Sequence, residues 1–287
     1  MPADIEGLAA FGASLFHKEK NVTRLSGMQM IFTHQAGRLS RRLLIGLLMV
    51  CGVFPSLAQA EIWHSTPTGG MRDVAIAPNG LAWLTGKDGT VWVADNVFGS
   101  SFTQIEASGF SRISVGTEGF VWAIRSNGAL WKFATNSWTE TTANGVEDVA
   151  IAPDGKVWLV GEDGSIWFSG DQGQKFTQIE ASGFSRISAG PSGVVWAVRP
   201  DGTLWKFVTG SWTKTSASGA GDVAIAPNGL IRFAGKDGTV WSSPDGGATF
   251  SQDEEARGIE NIAAGRSGAW AVGFNGVLWR KLFSPQF

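Results

Sequence analysis

Thirteen residues, FTQIEASGFSRIS, stand at 102–114 and again, unchanged, at 176–188. Their surroundings repeat as well: DVAIAPNG occurs at 73–80 and 222–229, DVAIAPDG at 148–155, and KDGTVW at 87–92 and 236–241. The offsets are 75 and then 74, so the chain holds three copies of one unit. Self-similarity at a fixed period restricts a chain to stacked or radial arrays of one supersecondary element.

Each unit divides again. DVAIAPNGLAWLTGKDGTVW (73–92) aligns without a gap to RISVGTEGFVWAIRSNGALW (112–131). The anchors Asp73, Arg112, Asp148, Arg186, Asp222 and Asn261 then lie 39, 36, 38, 36 and 39 residues apart. Inside each of the six repeats, short β-branched or aromatic runs are separated by turn signals, Asn-Gly and Asp-Gly in the first repeat. That pattern predicts a four-stranded antiparallel meander. No segment past residue 60 carries a helical period. The expectation is an all-β, six-bladed β-propeller built from three two-blade units.

The sixth repeat ends at VLWRKLFSPQF and lacks a fourth strand, which reads SWTETTANG (137–145) and SWTKTSASG (211–219) in the other even repeats. IWHSTPTGG (62–70) has the matching pattern. Trp63 precedes Asp73 by ten residues, as Trp138 precedes Asp148 and Trp212 precedes Asp222. The N-terminal strand is therefore expected to complete blade six and close the ring, which leaves only short edges unpaired.

Residues 1–60 fall outside this pattern. Arg38, Arg41 and Arg42 precede a run of twelve residues, Leu43 to Phe54, and Ala58-Gln59-Ala60 follows Pro55. A basic front, a short apolar stretch and small residues form a secretory signal, too short to span a bilayer. The expected domains are thus a removed leader and signal at 1–60, whether translation starts at Met1, Met28 or Met30, and a propeller at 61–287. The protein is expected outside the cytoplasm, secreted or periplasmic, with no membrane insertion of the mature chain. Cys51 lies in the signal, so 61–287 contains no cysteine and relies on its core rather than on disulfides. Seventeen Lys and Arg stand there against twenty-two Asp and Glu, a balance that gives no case for nucleic acid.

Trp92, Trp131, Trp167, Trp205, Trp241 and Trp279 occupy one third-strand position in every repeat and are expected to fill the wedges between blades. Trp83, Trp122, Trp158, Trp196 and Trp270 mark a second-strand position, where blade five has Arg232. An arginine in that series predicts a partly exposed ring. In the odd blades SGDQGQKF (169–176) and SPDGGATF (243–250) resemble the Asp-box hairpin of sialidases and related propellers, which implies a structural role for Asp171 and Asp245. Sialidase chemistry uses a tyrosine nucleophile, and this chain has no tyrosine. Past residue 60, His64 is the sole histidine, so Ser-His-Asp, Cys-His and zinc arrangements have no basis. Asp88, Asp163 and Asp237 sit at repeated turns. No catalytic residue, metal ligand or cofactor site is assigned.

Blades two and four, SRISVGTEGFVWAIRSNGALWKF and SRISAGPSGVVWAVRPDGTLWKF, resemble tectonin repeats, the blades of tachylectin-like and fish-egg-type lectins. The resemblance spans the mature chain in register and implies non-catalytic binding of glycans or cell-envelope saccharides. The turn between strands two and three shares a rim with the blade junctions, and the Asp-box hairpins take the opposite rim. Arginines and an aromatic face suit a sugar's hydroxyls and ring. The candidate residues are Arg112, Trp122 and Arg125 in blade two and Arg186, Trp196 and Arg199 in blade four. Asn261 and Gly273 replace the arginines in unit three, which predicts two good sites and one poor one. Arg112 and Arg186 equally suit charge pairing between blades. A protein-interaction or envelope-assembly scaffold is the alternative, and a propeller hydrolase a third.

Overall fold

The computed structural model describes residues 62–282 except 106, 117, 118 and 267; the predicted leader and signal lie outside the described residues. Among the described residues the chain forms six four-stranded antiparallel sheets, the blades of a propeller. Blade one is β2 (Met71–Ile76), β3 (Ala82–Gly86), β4 (Val91–Ala94) and β5 (Phe102–Ile105). Blade two is β6 (Phe110–Val115), β7 (Val121–Arg125), β8 (Leu130–Ala134) and β9 (Ser137–Glu140). Blade three is β10 (Val146–Ile151), β11 (Val157–Gly161), β12 (Ile166–Ser169) and β13 (Thr177–Ile179). Blade four is β14 (Arg186–Ala189), β15 (Val195–Val198), β16 (Leu204–Val208) and β17 (Ser211–Lys214). Blade five is β18 (Ala220–Ile225), β19 (Ile231–Gly235), β20 (Val240–Ser243) and β21 (Ser251–Asp253). Blade six is β22 (Ile259–Ala264), β23 (Gly268–Gly273), β24 (Leu278–Leu282) and β1 (Trp63–Ser65), with Trp63 opposite Lys281 and Ser65 opposite Trp279.

One main-chain bond recurs at every step around the ring. An N–H at the entry to each inner strand donates to a turn glycine of the preceding blade, as Phe110 does to Gly89, Val146 to Gly128 and Met71 to Gly276, at 3.0–3.1 Å. Gly89 has φ +82°, and a Cβ there would lie 2.6 Å from the Gly109 nitrogen. Backbone conformation and close approach both demand glycine, which explains why the turns read Asp-Gly or Asn-Gly.

The side-chain contacts alternate with blade type. From odd to even blades, the Asp73, Asp148 and Asp222 carboxylates accept the N–H groups of Ile113, Ile187 and Ile262 at 2.8–2.9 Å. From even to odd blades, a hairpin glycine lies on a second-strand tryptophan: a Cβ on Gly173, Gly247 or Gly99 would fall 2.1–2.3 Å from Trp122, Trp196 or Trp270.

This second contact overturns the expected exposure for Trp122, Trp196 and Trp270, whereas Trp83 is half-buried as expected. Trp122, Trp196 and Trp270 are no more than 2 % exposed, and Trp158 is buried as well. The third-strand tryptophans are the half-buried set. Arg232 is itself buried, so an arginine in a series does not mark that position as wet.

Candidate functional site

The rim that carries the turns between second and third strands is built from hairpins of fixed register. In blade two Ala123 faces Trp131 across β7 and β8, so Arg125, two residues further, lies on the same face as that indole. Its guanidinium sits 4.1 Å from the Trp131 ring centre and 5.3 Å from that of Phe110. Blade four repeats the arrangement: Arg199 lies 4.4 Å from Trp205 and 4.9 Å from Phe184. Such stacking is worth about 0.5–2 kcal/mol and fixes a side chain that would otherwise sample many rotamers.

Behind each arginine runs an aromatic ladder. Phe110 stacks on Trp138 at 4.6 Å, Trp138 meets Phe133 at 5.1 Å, and Phe133 meets Trp83 of blade one at 5.8 Å. The second ladder is Phe184, Trp212, Phe207 and Trp158, at 4.7, 5.2 and 5.4 Å. Nε of Arg125 and of Arg199 is buried without a hydrogen bond, and neither guanidinium donates one to protein among the described residues.

The six predicted site residues do not converge. Trp122 stands three residues before Arg125 on one strand, so it points to the other face and lies roughly 10 Å away. It is buried under the opposite rim, as is Trp196 under Gly247. Both indoles lie away from the guanidinium rim, and the aromatic partners of the arginines are Trp131 and Trp205. Hairpin register, applied to Arg125 and Ala123, is the sequence signal that points to them.

Arg112 lies in the channel on the propeller axis, 2.7 Å from Asn261 Oδ1 and 3.5 Å from Asp73 Oδ1. Arg186 turns to Glu147 of blade three at 2.8 Å and to its neighbour's carbonyl at Ser185, so each arginine pairs with an acid of the preceding blade, though not with the equivalent one. Inner strands of all six blades enclose a channel cavity of about 210 Å³. Burial pushes Asp148 up to about 7 against the pull of Arg112 and Arg186, and burial raises Asp222 too. Burial also opposes the charge on Arg112, but Asp73, Asp148 and Asp222 outweigh it and hold the guanidinium protonated. These groups join blades, and each aspartate spends an oxygen on its neighbour's backbone.

The turn acids are committed in the same way. Asp88 accepts the Thr90 hydroxyl at 2.6 Å, and Thr90 Oγ1 accepts the Trp92 indole N–H at 2.8 Å. The relay recurs through Asp163, Ser165 and Trp167, through Asp201, Thr203 and Trp205, and through Asp237, Thr239 and Trp241. The Thr90 bond holds Asp88 below the usual carboxylate range. Asp245 is lowered by Thr249 and Ser243 within its own hairpin. Such acids stay ionised and bonded to the fold, which suits neither general-acid nor nucleophilic work. Among the described residues no group of three or more His, Cys, Asp or Glu is placed to hold a metal.

The sequence model of the Tectonin domain matches residues 70–254. No curated protein matches the chain. Solved propellers do: YCF48 bound to a D1 peptide superposes with TM-score 0.57 at 18 % identity, over 77 % of this chain and 97 % of that one. A GH74 enzyme from Niastella koreensis gives TM-score 0.56 at 17 % identity, over 76 % and 37 %. Virginiamycin B lyase from Staphylococcus aureus gives 0.52 at 15 %, over 78 % and 88 %. At these identities the likeness is one of fold.

Proposed function

We propose that this chain, which belongs to the tectonin family, is an exported glycan-binding propeller that holds cell-envelope saccharides at the rims of blades two and four without transforming them. The observation that carries the reading is the guanidinium stacked on Trp131 and again on Trp205, half-buried and with no hydrogen bond to protein among the described residues. A planar donor fork held against an indole meets the geometry of vicinal hydroxyls or a carboxylate at little entropic cost. Gly273 takes this place in blade six, so two working sites are expected. The bonded turn acids support binding over hydrolysis.

A glycan array with bacterial envelope saccharides tests the reading. The expected result is a consistent set of hits, weakened about tenfold or more by Arg125→Ala with Arg199→Ala. Arg→Lys at both sites keeps charge but loses the fork, and is expected to recover little. A blank array from folded protein would overturn it.

A scaffold role has one observation in its favour. Phe98 is 57 % exposed on the opposite rim, and the similar propeller YCF48 is solved with a peptide bound. Retention of a protein partner lost in Phe98→Ser, with no saccharide response, would favour that reading.

A further inference from the structure

The three-fold repeat breaks twice at one place, where blade six meets blade one. Gly116 and Trp122 are separated by the segment 117–121, and Gly190 and Trp196 by 191–195; each segment contains a bulky apolar residue, Phe120 or Val194, packed into its cluster. The corresponding blade-six segment, Gly265 to Trp270, is one residue shorter, and Phe120 and Val194 have no counterpart. The facing hairpin is one residue longer. Ala94 to Gly99 spans five steps, where Ser169 to Gly173 and Ser243 to Gly247 span four, and the added length carries Val97 and Phe98.

The deletion and the insertion enclose a cavity of about 140 Å³ lined by Ile76, Val97, Phe98, Gly268, Trp270 and Leu282. That volume is close to the ~150 Å³ apolar cavity that accepts benzene in an engineered protein. Phe98 forms its outer wall and is held there by Arg280, whose Nη1 donates to the Phe98 carbonyl at 2.5 Å and whose guanidinium lies 5.7 Å from the ring. The hairpin is set by Asn96, which accepts the Phe98 N–H at 3.0 Å, and its acid, Asp95, is bonded to Thr103 at 2.6 Å. Ile76, Gly80 and Gly265 line both this cavity and the axial channel, so the two are contiguous. Exposed Arg266 lines the axial channel and follows Gly265, which borders both spaces; in sequence the other even blades have Thr117 and Pro191 at this position.

We propose that this side cavity is a binding site for a small apolar acid: an aromatic ring or short alkyl chain seated against Trp270 and Val97, with its anionic head on Arg266. It is a second site, on the rim opposite Arg125 and Arg199, and stands independently of the glycan reading. Apolar walls of this size supply the affinity of one buried ring, and the arginine selects a carboxylate over a neutral analogue.

The test is calorimetric titration and saturation-transfer NMR of the protein with benzoate, phenylacetate and hexanoate, with benzyl alcohol as the neutral control. At least one acid is expected to bind, and the alcohol about tenfold more weakly. Arg266→Gln should cost the acid the same factor, and Phe98→Ala should weaken acid and alcohol together. A valine inserted after Gly268, which restores the length found in blades two and four, should abolish binding. Arg125→Ala with Arg199→Ala should leave it unchanged. The proposal falls if no acid binds at millimolar concentration, or if binding is indifferent to Phe98→Ala and to the inserted valine. Equal binding of acid and alcohol would overturn the assignment to anions.

Discussion

The junction from blade one to two and the junction from blade five to six occupy equivalent places and use different chemistry. In the first, Trp83, Ile105, Phe133 and Trp138 pack as an apolar cluster, and the junction of blades three and four repeats it. In the second, Arg232, Asp253 and Lys281 stand where Trp83, Ile105 and Phe133 stand, and Trp63 replaces Trp138. Asp253 accepts the Lys281 ammonium at 2.5 Å and the Trp63 indole N–H at 2.8 Å. The indole nitrogens of Trp138 and Trp212, by contrast, are buried without a hydrogen-bond partner among the described residues. The polar junction is the one where β1, from the far end of the chain, joins β24. Apolar packing tolerates a slipped strand, whereas a partly buried carboxylate with two directional donors penalises every register but one. The difference teaches that the two odd-to-even junctions remote from the closing strand are held by aromatic burial, and the one that borders it by groups that specify alignment.

The largest effect should come from breaking the aromatic side of this comparison. Phe110→Ala and Phe184→Ala each remove a ring that holds both a tryptophan and an arginine, and should cost about 3–5 kcal/mol in urea unfolding. Gly173→Ala and Gly247→Ala should follow: each drives a methyl into a buried indole, costing about 1–3 kcal/mol beyond the roughly 1 kcal/mol of left-handed backbone. Gly109→Ala, with the same positive φ but nothing within 4 Å, should show only the backbone part.

The seam should be weaker and dependent on pH. Burial opposes ionisation of Asp253, but the bonds from Lys281 and Trp63 outweigh it and lower its pKa. A depressed carboxylate contributes stability that is present above its unfolded pKa, about 4, and lost as pH falls. Asp253→Asn should therefore cost about 1–3 kcal/mol at neutral pH and progressively less in acid. The smallest effect, and of opposite sign, is expected in the channel. Asp148 rises to about 7, so the folded protein binds more protons than the unfolded chain between about 4 and that value, and this group lowers stability as pH climbs. Asp148→Asn can still accept the Ile187 N–H, and should flatten that slope and be neutral or stabilising at alkaline pH. Loss of stability in Asp148→Asn above pH 7 would show that the ionised form is the one the ring needs.

Much of the architecture is legible in the sequence because it follows from local rules. Asn-Gly and Asp-Gly between short apolar runs dictate hairpins, a spacing of 36–39 residues dictates repeated blades, and Trp63, ten residues before Asp73, has the spacing of a fourth strand. The site is less legible. Trp122 and Arg125 are close in sequence yet point to opposite faces, and the tryptophan that meets the arginine, Trp131, lies across a turn. The burial of the second-strand tryptophans was hidden for a related reason. Their covers, Gly99, Gly173 and Gly247, belong to another blade, and alternation along one strand says nothing about what a neighbouring sheet lays against it.

Sequence alone therefore determined the blade, its number and the glycine-bearing turns, because these depend on backbone geometry within a few residues. Tertiary structure decided which tryptophans are sealed, where the arginines rest, which carboxylates share Arg112, and that a shortened loop faces a lengthened hairpin at the junction of blades six and one. Those outcomes rest on contacts between blades, where burial and electrostatics depend on residues far apart in sequence, 190 positions in the case of Trp63 and Asp253.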